Sequence, residues 1–181
     1  MDQGLLPRRY AKALYKFAVE HDSEERVYRL MKNVRASFDK EPAIAQVVAN
    51  PFVSDAEKRE LLITAAEATD ADTCYADFVK LLSQNGRIAL AGDIALAYIA
   101  IYRAEKRIYK VEVVTADTLP EETVARLRAL IEKHLDGGTM EYSRRVDPEL
   151  IGGFVINIDN EQLDASVSNE LKQLRLKLLS K

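Results

Sequence analysis

The residues with the chemistry to act as catalysts or ligands are few in this chain, and they stand apart. His21 and His134 are the only histidines. Neither sits in an HExxH pattern, and no cysteine stands at metal-ligand spacing from either. Both read as surface or helix-end side chains. Cys74 is the single cysteine. No neighbouring histidine or cation cluster would lower its pKa, so on an apolar helix stripe it reads as a small filler. Gly137-Gly138 and Gly152-Gly153 are not followed by Lys-Ser or Lys-Thr, so neither is a phosphate loop. There is no GxSxG, and no Ser/His/Asp set stands out. The carboxylates fall mostly at helix starts or on polar faces, which selects no pair for acid–base work. We expect no catalytic residue, no cofactor and no metal.

The bulk numbers agree with a folded chain. Its 181 residues suffice for one large domain or two small ones. At 48% apolar and 30% charged it is globular in type. The net charge of −3 speaks against a nucleic-acid partner, as does the lack of aromatic residues interleaved with basic ones. A lone cysteine allows no intrachain disulfide and fits a reducing compartment. Met1 to Tyr10 has no apolar core of the kind a secretory signal needs, and no transit segment is visible. The longest apolar run, Ile88 to Tyr102, is interrupted by Gly92 and Asp93. It falls short of the ~20 residues a bilayer span requires. Direct membrane insertion is therefore not expected.

What remains is surface, and the elements that would present it. Residues 5–21 read as a helix with Pro7 in its first turn. Leu6, Tyr10, Ala13, Leu14, Phe17 and His21 follow one helical stripe, and Ala11, Tyr15, Ala18 and Val19 make a second, weaker one. Such a helix either lies centrally in a bundle or lines a groove for another helix with one stripe. Asp22 reads as the cap of a second helix, which carries Val27, Leu30, Met31, Val34 and Phe38. A short helix over 42–48 ends at Asn50-Pro51. Ser54-x-x-Glu57 is a capping box that opens a fourth helix. A fifth helix, 73–84, carries Cys74, Tyr75, Phe78, Val79, Leu81 and Leu82, with Gly86 placed for its left-handed end. Ile88 to Arg107 reads as one long helix, apolar nearly all round.

Near Lys106, Arg107 and Lys110 the apolar period changes from helical to alternating, which places a domain boundary at 105/106. The basic cluster reads as the solvated end of the long helix, with a contact for acidic lipid or an acidic partner as the alternative. Beyond it, residues 111–115 alternate as a strand. Thr118-x-x-Glu121 with Pro120 reads as a capping box opening a helix over Val124, Leu127, Leu130, Ile131 and Leu135. Residues 139–146 alternate again. Asp147-Pro148 and Gly152-Gly153 are bends. Phe154, Ile156 and Ile158 share one strand face, Asp159-Asn160 turns the chain, and Leu163 begins a return strand before a closing helix. The expected architecture is an N-terminal all-α six-helix bundle over 1–105. A small C-terminal α+β domain of order β-α-β-β-β-α follows over 106–181.

Four stretches resemble one family. They are R-R-Y-A-K-A-L-Y-K-F-A at the start, N-P-F-V in the middle, F-V-K-L-L-S-Q-N-G-R before the long helix, and D-P-x-L-I-G-G-F-V-I-x-I with L-D-A-S-V-x-x-x-L-x-x-L at the end. Together, and in this order, they resemble the delta subunit of bacterial F-type ATP synthases, the relative of the mitochondrial oligomycin-sensitivity-conferring protein. The resemblance implies a non-catalytic stator subunit of the peripheral stalk, present in one copy per complex and monomeric when isolated. It would lie on the cytoplasmic side of a bacterial inner membrane, held there through its partners. It further implies that a groove between the first and fifth helices takes the N-terminal helix of an alpha subunit. That groove maps onto Tyr10, Ala13, Leu14, Phe17, Phe78, Leu81 and Leu82. A second surface, at Gly152, Gly153, Phe154, Val167, Leu171 and Leu174, would meet the C-terminal ends of the b subunits. Each of these residues has a plain alternative as core. The competing reading is a free-standing helical adapter for an amphipathic helix of an unrelated partner.

Overall fold

A computed structural model describes residues 4–135, 137–159, 161–169 and 171. The chain divides into two compact units, with the division between Ala104 and Glu105.

The first unit is helical: α1 (Leu5–Glu20), α2 (Glu24–Lys40), α3 (Ala43–Ala49), α4 (Asp55–Ala66), α5 (Thr73–Gln84) and α6 (Ala91–Lys106). Its largest fully buried side chains include Tyr98, Leu30, Leu62, Leu82 and Ile94, drawn from four helices. Two buried tyrosines spend their hydroxyls on backbone carbonyls. Tyr75 donates to Leu62 O at 3.0 Å and Tyr98 to Glu24 O at 3.2 Å. The α2 stripe is buried as expected, and its end packs tightly on α6. A Cβ on Gly92 would stand 2.9 Å from Phe38 Cδ1, so only glycine lets the two helices approach this closely.

The local signals hold in part. Ser54 Oγ accepts from Glu57 N at 3.3 Å while Ser54 N donates to a Glu57 carboxylate oxygen at 3.0 Å, completing the capping box. Gly86 takes φ +63 after α5. Asp22, by contrast, does not cap α2. It adopts φ +49, and Ser23 stands at the cap position with its hydroxyl donating back to Ala18 O at 3.2 Å. The long helix does not begin at Ile88: Ile88–Leu90 form a tighter 3₁₀ turn that leads into α6. Nor is α6 enclosed all round, since Leu96 is exposed.

The second unit is a four-stranded sheet of β1 (Ile108–Thr115), β2 (Thr139–Val146), β3 (Gly153–Ile158) and β4 (Glu161–Ser166) with α7 (Glu121–His134). The strand order is β2-β1-β3-β4. β1 and β2 are parallel, so they need a crossover, and α7 supplies it. The other pairs are antiparallel, with Val113 opposite Ile156 and Val111 opposite Ile158. Val111, Val113, Ile131, Leu135 and Ile156 form the core, flanked by Phe154 and Ile158, so the expected β3 face is the inner one. β1 begins three residues earlier than the alternation suggests, and β4 two residues before Leu163. The expected capping box at Thr118 does not form. Pro120 occupies the cap position, and the Glu121 carboxylate instead accepts from Arg144 at 3.1 Å. The closing helix expected through Leu174 runs beyond the described residues, and Leu174 lies outside them.

Candidate partner-binding site

α1 buries parts of both stripes: Ala11 and Ala18 of the second go inside with Leu14 of the first, while Val19 of the second stays exposed. Pro7, Ala11, Leu14 and Ala18 face the interior, at spacings of four, three and four residues. Two of these are alanines, which bring α1 close to its neighbours. Tyr15, on one flank, packs its ring against Tyr98 and Tyr102 of α6 at 6.0 and 6.4 Å between centroids. The other flank is the stronger apolar stripe, and much of it has no cover. Tyr10 is half-buried, Ala13 is exposed, and Phe17 keeps 39% of its surface in solvent.

α5 runs beside this flank. Phe78 and Leu82 are buried along with Cys74 and Val79, while Leu81 is 45% exposed. Of the seven groove residues expected from the sequence, Leu14, Phe78 and Leu82 therefore belong to the packed interior. The open portion is Tyr10, Ala13, Phe17 and Leu81. Where the C-terminal end of α1 meets the N-terminal end of α5, a cleft of about 290 Å³ opens. It is lined by Phe17 and His21 on one side, Thr73, Cys74 and Asp77 on the other, with Val27 and Leu30 beneath.

Polar groups hold this cleft in shape. Arg26 of α2 donates from Nε and Nη2 to the two Asp72 carboxylate oxygens at 2.7 and 2.8 Å. Thr69 N adds a third bond at 2.7 Å. The Arg26 hydrogen bond holds the Asp72 carboxyl far below the usual carboxylate range, against the opposing effect of burial. The fork-to-fork pair fixes the entry of α5 against α2. His21 Nδ1 lies 2.8 Å from Phe17 O and, facing a carbonyl, donates to it. Its ring stands 4.3 Å from that of Phe17. Burial pushes the Cys74 thiol up, which keeps it protonated and unreactive. The cleft thus offers an apolar wall and fixed ion pairs, with no activated nucleophile.

In the second unit the expected residues divide differently. Gly153 takes φ +80, and a Cβ there would overlap the Ala165 carbonyl oxygen and stand 3.0 Å from Ser166 Cα. Gly152 O accepts from Val167 N at 3.0 Å. Phe154 packs beside the core. Gly152, Gly153 and Phe154 thus serve the join of β3 to β4, whereas Val167 and Leu171 are exposed. One feature escaped sequence reading. Leu127, Leu130, Phe154 and Leu163 line an apolar slot of about 420 Å³ between α7 and the β3–β4 edge. Leu130 is 65% exposed there and Leu163 60%. The only hint in the sequence was that α7 carries one leucine more than a single stripe needs. Among the described residues, no group of three or more His, Cys, Asp or Glu side chains is arranged to hold a metal ion. No helix there is long and apolar enough to cross a membrane.

Comparison with known proteins agrees with this picture of a binding protein. The family model "ATP synthase delta (OSCP) subunit" matches residues 6–178. ATP synthase subunit delta of Parabacteroides distasonis is 40% identical over 179 residues, spanning 99% of this chain and 98% of that protein. Its counterpart in Bacteroides thetaiotaomicron is 32% identical, over 100% and 97% of the two chains. Among solved structures, a chain of the Toxoplasma gondii mitochondrial ATP synthase hexamer shares the fold. Its TM-score is 0.72 at 23% identity, covering 96% of this chain and 97% of that one. The chain belongs to the ATP synthase delta (OSCP) subunit family, whose members are non-catalytic and form the peripheral stalk that links the catalytic head to the b subunits.

Proposed function

We propose that the two units are the two grips of the stator. The first, residues 1–105 with its six helices acting as one bundle, holds the catalytic head. The second, residues 106–181, holds the stalk. The head-side grip is the trough between α1 and α5, and its occupant is the N-terminal helix of an alpha subunit. Tyr10, Ala13, Phe17 and Leu81 make the contact, over a floor set by Leu14, Phe78 and Leu82. The b subunits' C-terminal ends meet Val167 and Leu171 beside the Gly152–Phe154 bend, and Leu174 is a contact carried from the resemblance alone. One copy serves each complex, the isolated chain is a monomer, and the assembly lies on the cytoplasmic face of a bacterial inner membrane.

The observation that carries this reading is the outward apolar flank of α1. A helix that already has a sufficient buried face keeps Ala13 and Phe17 open to solvent, with Phe17 on the rim of the cleft towards α5 and Leu81 of α5 exposed as well. An amphipathic helix laid there would complete the apolar enclosure. A subunit that resists torque gains from slow dissociation, and affinity is tuned mainly through the off-rate. Titrating a synthetic peptide of the alpha-subunit N-terminal helix into the full chain tests the reading. Saturable one-to-one binding with burial of apolar surface, seen as a negative heat-capacity change, is expected. Absence of binding, with the chain folded, would remove the head-side grip.

A further inference from the structure

The flanks of the α1–α5 trough are not electrically alike. Arg9 and Lys16 border its α1 side, each three or four residues from Ala13 and therefore directly beside the apolar stripe, and both are exposed. Lys12 stands one row further out, also exposed. Glu20 is the one acid on this edge, at the end of the helix. Across the trough the α5 edge presents Asp77, which lines the cleft, and Gln84 two turns on, both exposed, with Lys80 exposed one row further out. A helix lying in the trough would thus have a cationic rail on one side and an anionic or neutral one on the other.

Building on the groove reading above, we infer that the trough selects its occupant by lateral charge. It takes an amphipathic helix whose apolar stripe is edged with carboxylates on the side facing Arg9 and Lys16 of α1, and with cationic or amide side chains on the side facing Asp77 of α5. The apolar stripe supplies the burial. The rails fix which way up and in which direction the helix lies, because reversing it sets Asp77 against carboxylates and Lys16 against cations. Rim charges of this kind act through encounter and orientation more than through raw affinity. For a stator this decides whether the head is gripped in one orientation or in two.

Two synthetic amphipathic peptides of about 18 residues, roughly five turns, test the inference. They share one apolar stripe and differ only in carrying Glu or Lys along the edge that faces α1. The full chain is expected to bind the Glu-edged peptide about tenfold more tightly at low salt, and the preference should shrink severalfold at high salt. The Arg9→Glu/Lys16→Glu variant should reverse the preference. Because that reversal requires tight binding of the Lys-edged peptide, it also shows that the variant is folded. Leu81→Asp should weaken both peptides, which locates them in the trough. Equal affinity of the two peptides for the unaltered chain would overturn the charge selection and leave the groove reading standing. So would a preference that survives the charge reversal. Failure of both peptides to bind, or binding indifferent to Leu81→Asp, would overturn the groove reading and this inference with it.

Discussion

The two candidate surfaces use apolar and small residues in opposite ways. On α1 the stronger stripe is split, with Phe17 left exposed and Leu14 buried, and the small residues Ala11 and Ala18 are spent on close packing. At the Gly152–Phe154 bend the small residues again serve close approach of the backbone, and Phe154 packs beside the core. In the helical unit, then, part of a surplus of apolar side chains is left at the surface. At this bend of the sheet unit the same local richness serves the join of β3 to β4. The contrast is sharpest where a substitution should be ruinous in one region and harmless in the other.

The largest effect is expected at Gly153. Valine there would combine a β-branched side chain with φ +80 and a collision with the Ala165 backbone, which cannot step aside without breaking the β3–β4 ladder. A loss of about 4 kcal/mol is expected, enough to unfold a unit of this size. Amide exchange across β3 and β4 should lose its protection while α1–α6 stay protected. Retention of sheet protection would mean that Gly153 is not structural and would return it to the candidate contacts.

Leu14→Ala should come next. Leu14 lies on the buried side of α1 at 2% exposure, and truncation leaves a cavity among α1 and its neighbours. The expected cost is about 3 kcal/mol, read as a lower denaturation midpoint with an unchanged denaturant slope. A cost below about 1 kcal/mol would place Leu14 in an open groove floor instead, and would blur the distinction between the two faces of α1.

Much of this architecture was legible from residue spacing, because spacing encodes local geometry. The limits of α5 and β2, the Ser54 capping box and the inward face of β3 all follow from contacts within a few residues. The groove was legible only as a set of seven names. Periodicity gives a helix its apolar stripes but does not rank them, and burial is decided by what packs alongside. Tyr98 and Tyr102, some eighty residues distant in sequence, pack against Tyr15 of the weaker stripe, while Leu14 of the stronger one is buried and Val19 of the weaker one is not. The failed cap at Thr118 has the same cause, since Glu121 found its partner on β2. At Asp22 the cause is local: the residue turns left-handed, and Ser23 bonds back to Ala18. The slot at Leu130 and Leu163 was hidden because its two walls come from separate elements.

The smallest change in stability, and the most telling for the comparison, is expected at Ala13. It lies one position from Leu14 along the chain, yet on the open flank of α1 rather than the buried one. Glutamate is a good helix former, and an exposed position mid-helix should accept it within about 0.5 kcal/mol. A partner helix would nevertheless meet a longer, charged side chain against its apolar stripe, and that carboxylate would also neutralise the cationic edge made by Arg9 and Lys16. Desolvating that carboxylate should weaken an alpha-subunit N-terminal peptide by about tenfold or more, while thermal unfolding barely moves. The pair Leu14→Ala and Ala13→Glu therefore separates folding from binding across a single peptide bond: the first should lower stability with the groove's outer residues unchanged, the second should spare stability and lose the partner. If Ala13→Glu destabilised the fold as much as Leu14→Ala, the outward flank of α1 would be covered in solution. The trough would then be an internal packing face, and the head-side grip would have to be sought elsewhere on the helical unit.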